Sequence, residues 1–379
     1  MQSSSTSAPV PVSEHASVLE PSQALPVIGF SCGDLNGIGI ETILKLLADP
    51  RIAHQCIPVV FASEKAIGFY AAKRFTEEKV PFRVIQSFDN LESGHNYLFT
   101  AWNEEVSIQP GVLTDSSGKY AVRSLQVAAQ CLKDGQLDGL VTAPINKANT
   151  QSEHFAYTGH TPFLQDFFGA KSVLMVLHDA SLRVALVTEH LPVSAIAAHI
   201  TTDRVLQKLT LFRNTLVQDF GIDKPRIAVL GLNPHAGDGG AIGSEEDTLI
   251  KPAIDQAQQN GILAFGPYAA DAFFARGSYT GFHGVLAMYH DQGLIPFKTL
   301  AQSGGVNFTA GLSVIRTSPD HGTAFDIAGQ GIADPTSMRE ALFECIDRIR
   351  QRAMYTANTA NPLPRSRVQK ERTFGGHRD

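Results

Sequence analysis

Three histidines each close an apolar run: His190 ends LRVALVTEH, His235 ends RIAVLGLNPH and His290 ends GVLAMYH. If these runs are strands of one α/β sheet, all three imidazoles stand at carboxyl ends, where the ligand sites of such folds collect. Imidazole is the commonest neutral metal ligand, and three protein ligands with an open fourth position is the arrangement of a catalytic metal site. Taken singly, each histidine reads as readily as an ordinary strand-end residue. The repeated context is what points to one shared ion.

Around these histidines stand groups that could serve such an ion or its substrate. Asn233 to Gly240 reads NPHAGDGG, a loop in which backbone shape rather than packing holds His235, and the Tyr289 to Gly293 segment reads as a loop of the same character. Asp291 and Asp271 could orient a ligand histidine or take a proton, two roles that sequence does not separate. Thr158-Gly159-His160-Thr161 precedes a helical pattern, so His160 and Thr161 can present donors to an anion, with Thr161 equally suited to be the helix N-cap. Lys298, Asn307 and Arg316 follow at intervals of nine residues in a glycine-rich, weakly charged stretch, a setting that suits a phosphate or carboxylate.

Two glycine-rich segments suggest further ligand contacts. GDLNGIGIE, from Gly33 to Glu41, follows the first strand and opens the first helix, where free N–H groups would be offered to an anion. HGTAFDIAGQGIADP, from His321 to Pro335, makes a long shaped loop before the last helix, and Asp326 could accept from a ribose hydroxyl. The usual GxGxxG dinucleotide fingerprint occurs nowhere suitable.

The elements that must position these groups alternate in type. Apolar runs at 26–32, 57–63, 137–144, 172–178, 182–188, 226–232, 284–289 and 312–317 read as strands. Helical patterns cover 39–48, 64–75, 118–133, 161–169, 193–199, 202–219, 245–259, 269–276 and 336–351. This rhythm means an α/β fold with a largely parallel sheet. The length of 379 residues suggests two domains, and a chain that leaves one domain and later returns to it would show no linker.

Composition narrows the partners. With 43% hydrophobic and 18% charged residues and a net charge of -6, nothing recruits nucleic acid or an anionic membrane, and a small-molecule partner is expected. The four cysteines form no CxxC pair, which fits a reducing cytoplasm. No apolar stretch approaches the ~20 residues that span a bilayer. The first 25 residues hold seven serines and no Lys or Arg and read as a disordered leader. The basic end PRSRVQKERTFGGHRD reads as a solvated tail.

Taken together, GDLNGIGIE, VTAPINK, TGHTPFL, LRVALVTEHLP, LGLNPHAGDGGAIGSEE, GPYAADAFF, AMYHDQGLIPFK and GVNFTAGLSVIRTSPDHGTAFDIAG closely resemble the 4-hydroxythreonine-4-phosphate dehydrogenase family of pyridoxal phosphate biosynthesis, from about Pro26 to Arg350. The final loop and the GIG turn also resemble parts of isopropylmalate dehydrogenase. The resemblance implies two α/β/α domains of the isocitrate/isopropylmalate dehydrogenase kind with the active site in the cleft between them. On that basis residues 26–150 with 318–355 would form the first domain and 151–317 the second, flanked by a leader over 1–25 and a tail over 356–379.

It further implies NAD-dependent oxidation of the C3 hydroxyl of 4-phosphooxy-L-threonine with decarboxylation to 3-amino-2-oxopropyl phosphate. Relatives acting on phospho-erythronate, phospho-threonate or dihydrodiols are the alternatives, and a non-redox metal hydrolase a more distant one. The family's metal ligands fall on His190, His235 and His290, holding one divalent ion, zinc by expectation with magnesium or cobalt as alternatives. Its substrate contacts fall on His160, Thr161, Lys298, Asn307 and Arg316, with Asp291, Asp271 and Lys298 as the catalytic candidates. The dinucleotide loop maps to His321, Gly322, Asp326 and Gly329. The family's site is shared between subunits, which implies a homodimer. Where the family often reads GDPAGIGPE, this chain has Leu35, Asn36 and Ile40, a departure that touches the local turn more than the chemistry.

Overall fold

The apolar runs pair into one sheet in a computed structural model that describes residues 24–72, 79–153, 155–301 and 304–362. The expected leader up to residue 23, and the tail beyond residue 362, lie outside the described residues. The strands are β1 (Val27–Ser31), β2 (Ile57–Ala62), β3 (Phe82–Ile85), β4 (Asn96–Thr100), β5 (Gly139–Thr142) and β6 (Leu174–His178). They continue with β7 (Arg183–Leu186), β8 (Arg226–Leu230), β9 (Leu263–Tyr268), β10 (Gly284–Ala287), β11 (Val306–Ala310) and β12 (Ile315–Pro319).

Their order is β3-β4-β2-β1-β5-β12-β11-β6-β7-β10-β8-β9. Two all-parallel halves, β3 to β12 and β7 to β9 in that order, are joined through β11 and β6, which run antiparallel to their neighbours. The chain leaves the first half after β5 and returns to it at β12, so no sequence linker marks the crossing. The chain is thus α/β with a largely parallel sheet, as its element rhythm requires.

Alternation along each strand feeds helices on both faces. Ile28, Phe30, Val60 and Ala62 point to the core that packs the helices Gly39–Leu47 and Thr336–Thr359, while Val59 and Phe61 pack under the helix Asp115–Lys133. The first of these cores continues beneath the second half, taking in Val176, Val187, Leu209, Phe212 and Val229. The other face of the second half is closed by Leu177, Val184, Leu186, Phe273, Leu294 and Phe297. Thr114 caps the helix Asp115–Lys133, its side chain accepting from Ser117 N at 3.3 Å.

The structure departs from the sequence expectations in instructive places. The edge strands β3 and β9 are largely solvent-facing and show weak apolar patterns. β11 alternates Asn307 and Thr309 with apolar residues, a period-two strand pattern too short and too polar to stand out beside the continuous apolar runs. Tyr289 to Gly293 is not a loop: His290 starts a helix that runs to Leu300. The last helix continues beyond 351 to Thr359. Among the described residues no helix is long and apolar enough to cross a membrane.

Candidate active site

The carboxyl ends of the central strands open on a cavity of 380 Å³ between the two halves of the sheet, lined from one side by Thr142, Arg316 and Ser318 and from the other by His190, His290 and Leu294. Pairing brings two of the histidines together. β7 and β10 are parallel neighbours in register Leu186 to Ala287, and the ladder runs on through Val187 N to Ala287 O at 2.9 Å and Thr188 N to Met288 O at 3.1 Å. Equal lengths of chain beyond that ladder leave His190 and His290 with ring centroids 5.7 Å apart.

His290 Nδ1 pairs with Asp291 Oδ1 at 2.7 Å, leaving Nε2 for another partner. Such a carboxylate-to-imidazole bond typically backs a metal-bound histidine. Desolvation, then the charges of Lys147 and His290, pushes His190 below the ordinary imidazole value, which favours the neutral form that binds metals. Two imidazoles on one wall therefore suit a divalent transition ion.

His235 is held elsewhere. It follows β8 in a turn where His235, Ala236, Gly237, Asp238 and Gly239 all have left-handed φ, from 44° to 80°. Three of these are not glycine, each at a cost of about 1–2 kcal/mol. The buried carboxylate of Glu246 fixes the turn, its Oε1 accepting from Leu232 N and Asn233 N, both at 2.7 Å, and its Oε2 from Asn233 Nδ2 at 3.0 Å. His235 does not line the cavity, and among the described residues no three His, Cys, Asp or Glu side chains of one chain group closely enough for a metal.

At the cavity floor lies Arg316, buried on β12. Its Nη2 and Nε donate to Thr142 Oγ1 at 2.6 and 3.1 Å and its Nη1 to Thr309 Oγ1 at 2.8 Å. No carboxylate pairs with it among the described residues, and burial pushes the guanidinium down to about 9. His160 Nε2 and Asn307 Oδ1 are buried beside the cavity without partners. Burial, and then the Arg316 charge, holds His160 well below its ordinary value. A buried cation without a counter-ion, flanked by orphaned polar atoms, is a place prepared for an anion.

The remaining predicted residues divide. Thr161 lines the cavity, but the N-cap of its helix is Gly159, whose φ of 155° only glycine adopts readily, so the N-cap reading of Thr161 is corrected. Lys298 lines the cavity and is fixed by Asp320 at 3.0 Å; burial raises the Asp320 carboxyl and Lys298 partly offsets this. His321 and Gly322 also line it, whereas Asp326 is exposed further along the loop and Gly329 turns there with φ 76°. Asp271 is exposed and does not line the cavity.

The GDLNGIGIE turn does not offer its N–H groups to an anion. It is buried, Ile38 N bonds Thr323 O at 3.1 Å, and a Cβ on Gly39 would meet Cys32 O at 2.4 Å. Thr142, Lys147, Glu189 and Asp320 also line the cavity and Glu246 anchors the His235 turn, roles to which no local sequence pattern points. Thr142 and Lys147 both fall in VTAPINK and Asp320 in TSPDHG, so the motifs contained them while their roles needed the third dimension.

The chain is similar to known proteins along most of its length. The family profile described as pyridoxal phosphate biosynthetic protein PdxA matches residues 54–345. A 4-hydroxythreonine-4-phosphate dehydrogenase of Bacteroides thetaiotaomicron is 44% identical over 346 residues, covering 90% of this chain and 94% of that one. A relative in Oceanobacillus iheyensis, named provisionally as a D-threonate 4-phosphate dehydrogenase, is 37% identical over 332 residues, covering 85% and 97%. The solved structure of a 4-hydroxythreonine-4-phosphate dehydrogenase from Klebsiella pneumoniae superposes with a TM-score of 0.76 at 32% identity, covering 86% of this chain and 99% of that one.

Proposed function

The chain belongs to the pyridoxal phosphate biosynthetic protein PdxA family, and from that premise we propose that it oxidises the C3 hydroxyl of 4-phosphooxy-L-threonine with NAD, with decarboxylation to 3-amino-2-oxopropyl phosphate. The observation that carries this reading is Arg316, a buried guanidinium with only threonine hydroxyls as partners among the described residues, opening on the same cavity as His190 and His290. An anionic end of the substrate restores the missing counter-charge there, the orphaned His160 Nε2 supplies a further contact, and Asn307 Oδ1 would accept from a substrate hydroxyl or ammonium group. Thr161 adds a hydroxyl donor on the same wall. Lys298, braced by Asp320, presents a fixed point charge that helps hold the reacting carbon in place.

His190 and His290 would hold a divalent ion together with His235 of a second copy of the chain, zinc being our choice, and Asp291 would orient His290. When bound, such an ion polarises the substrate hydroxyl and NAD accepts the hydride. The loop that carries His321, Gly322, Asp326 and Gly329 would seat the dinucleotide. The proton acceptor would come from Asp291, Asp271 or His160: His160 lines the cavity, whereas Asp291 backs His290 from outside it and Asp271, like His235, lies outside its own chain's cavity and would be supplied by the second copy. The two halves of the sheet would act as the two domains, 26–150 with 318–355 and 151–317, and a homodimer would complete each site.

D-Threonate 4-phosphate is the second reading, on the strength of the Oceanobacillus relative. Both substrates are phosphorylated hydroxy acids that Arg316 would serve alike. Purified protein incubated with NAD and each acid is expected to produce NADH with 4-phosphooxy-L-threonine, and a chelator is expected to stop it. NADH formed only with the threonate would replace the first reading by the second, and no NADH with either would reject both.

A further inference from the structure

We propose that Lys45, paired with Glu41 on the first helix, is a positioning residue that sets the 321–335 loop for the dinucleotide, a role that rests on reading that loop as the NAD loop. Lys45 Nζ donates to Gly331 O at 2.8 Å, to Ala333 O at 2.6 Å and to Glu41 Oε1 at 3.1 Å, so all three of its N–H bonds are used. Glu41 Oε1 in turn accepts from Ala333 N at 3.0 Å. The pair is nearly dry, with side-chain exposures of 14% for Lys45 and 0% for Glu41. Charge-assisted bonds in such surroundings are strong and directional.

The same helix grips the other end of the loop. Ile38 N donates to Thr323 O at 3.1 Å, and Ile38 packs with Ala328 and Ala333 in a small apolar cluster of their own. The loop is therefore tied at Thr323 and at Gly331 to Ala333, both times to the turn and helix of GDLNGIGIE and its continuation, while Asp326 between the ties stays exposed. A segment with several glycines and no ladder bonds has little order of its own, so ties of this kind remove conformational freedom before a ligand arrives. The glycine-rich turn near the amino terminus thus acts on the ligand through the loop rather than by touching it.

The test compares wild type with Lys45→Met and with the doubly neutral Glu41→Gln/Lys45→Met, which avoids leaving a buried carboxylate alone. Both variants are expected to raise KM for NAD by about tenfold or more, while KM for the phosphorylated acid stays within about twofold, because only the dinucleotide loop loses its preset shape. Amide hydrogen exchange without NAD is expected to quicken over 323–333 and to stay unchanged over 290–300. A folded double variant with unchanged KM for NAD, or with both KM values raised alike, overturns the role of Lys45. Wild-type protein that forms no NADH overturns that role together with the reading of the loop.

Discussion

At the residue scale the cavity is defined by a cost the fold accepts. Arg316 is desolvated with no counter-ion, which works against folding and in favour of an anion. Arg316→Met is therefore expected to raise the stability of the ligand-free protein by on the order of 1 kcal/mol while raising KM for the phosphorylated acid by about a hundredfold and leaving that for NAD alone. Thermal melts and steady-state kinetics on the same preparation check both halves; a less stable variant with unchanged substrate KM would remove Arg316 from the site. His160 adds a pH dependence. Its folded value lies well below the ordinary 6.5, so below about pH 6.5 the unfolded chain binds the proton that the folded chain refuses. Stability is expected to fall as pH drops through that value, and His160→Gln to flatten the fall. Equal acid sensitivity of the two proteins in melts between about pH 5 and 7 would contradict the assignment.

At the element scale the His235 turn is the part most dependent on a single support. A run of left-handed residues is not stable by itself, and Glu246 supplies three hydrogen bonds at its entrance. Glu246→Ala leaves those donors unpaired and is expected to cost about 2–4 kcal/mol of stability. A drop in melting temperature together with loss of bound metal checks this, and unchanged stability would show that the turn holds itself. Much of this level was legible in the chain. The eight strand runs found their places because strands buried on both faces are apolar along most of their length, as IAVL in β8 and LMVL in β6 are. The four missed strands have physical causes: β3 and β9 are edges with half-wet faces, β4 is a short NYLFT with polar residues at both ends, and β11 carries polar residues because Asn307 and Thr309 face the site and Arg316. The GDLNGIGIE turn misled for a related reason. Its glycines admit close approach, but the neighbours that approach are Cys32 and Thr323 of the same chain. Pairing of His190 with His290 was foreseeable only as shared context, since strand order is not written in any local pattern.

At the scale of the whole molecule, the separation of His235 from the other two histidines is the fact that most constrains function. One chain presents His190 and His290 at the cavity and His235 outside it, so the proposed three-histidine site would need two copies, each giving to the other. The most direct test mixes two inactive proteins. His235→Ala and His290→Ala homodimers are each expected to lack metal and activity. When they are unfolded together and refolded, half the dimers are mixed and each of those has one intact site, so about one quarter of wild-type activity is expected to return, with metal in proportion. Mixed dimers that are seen by mass spectrometry yet stay inactive and metal-free, or a His235→Ala homodimer with full activity, would contradict a site shared between subunits.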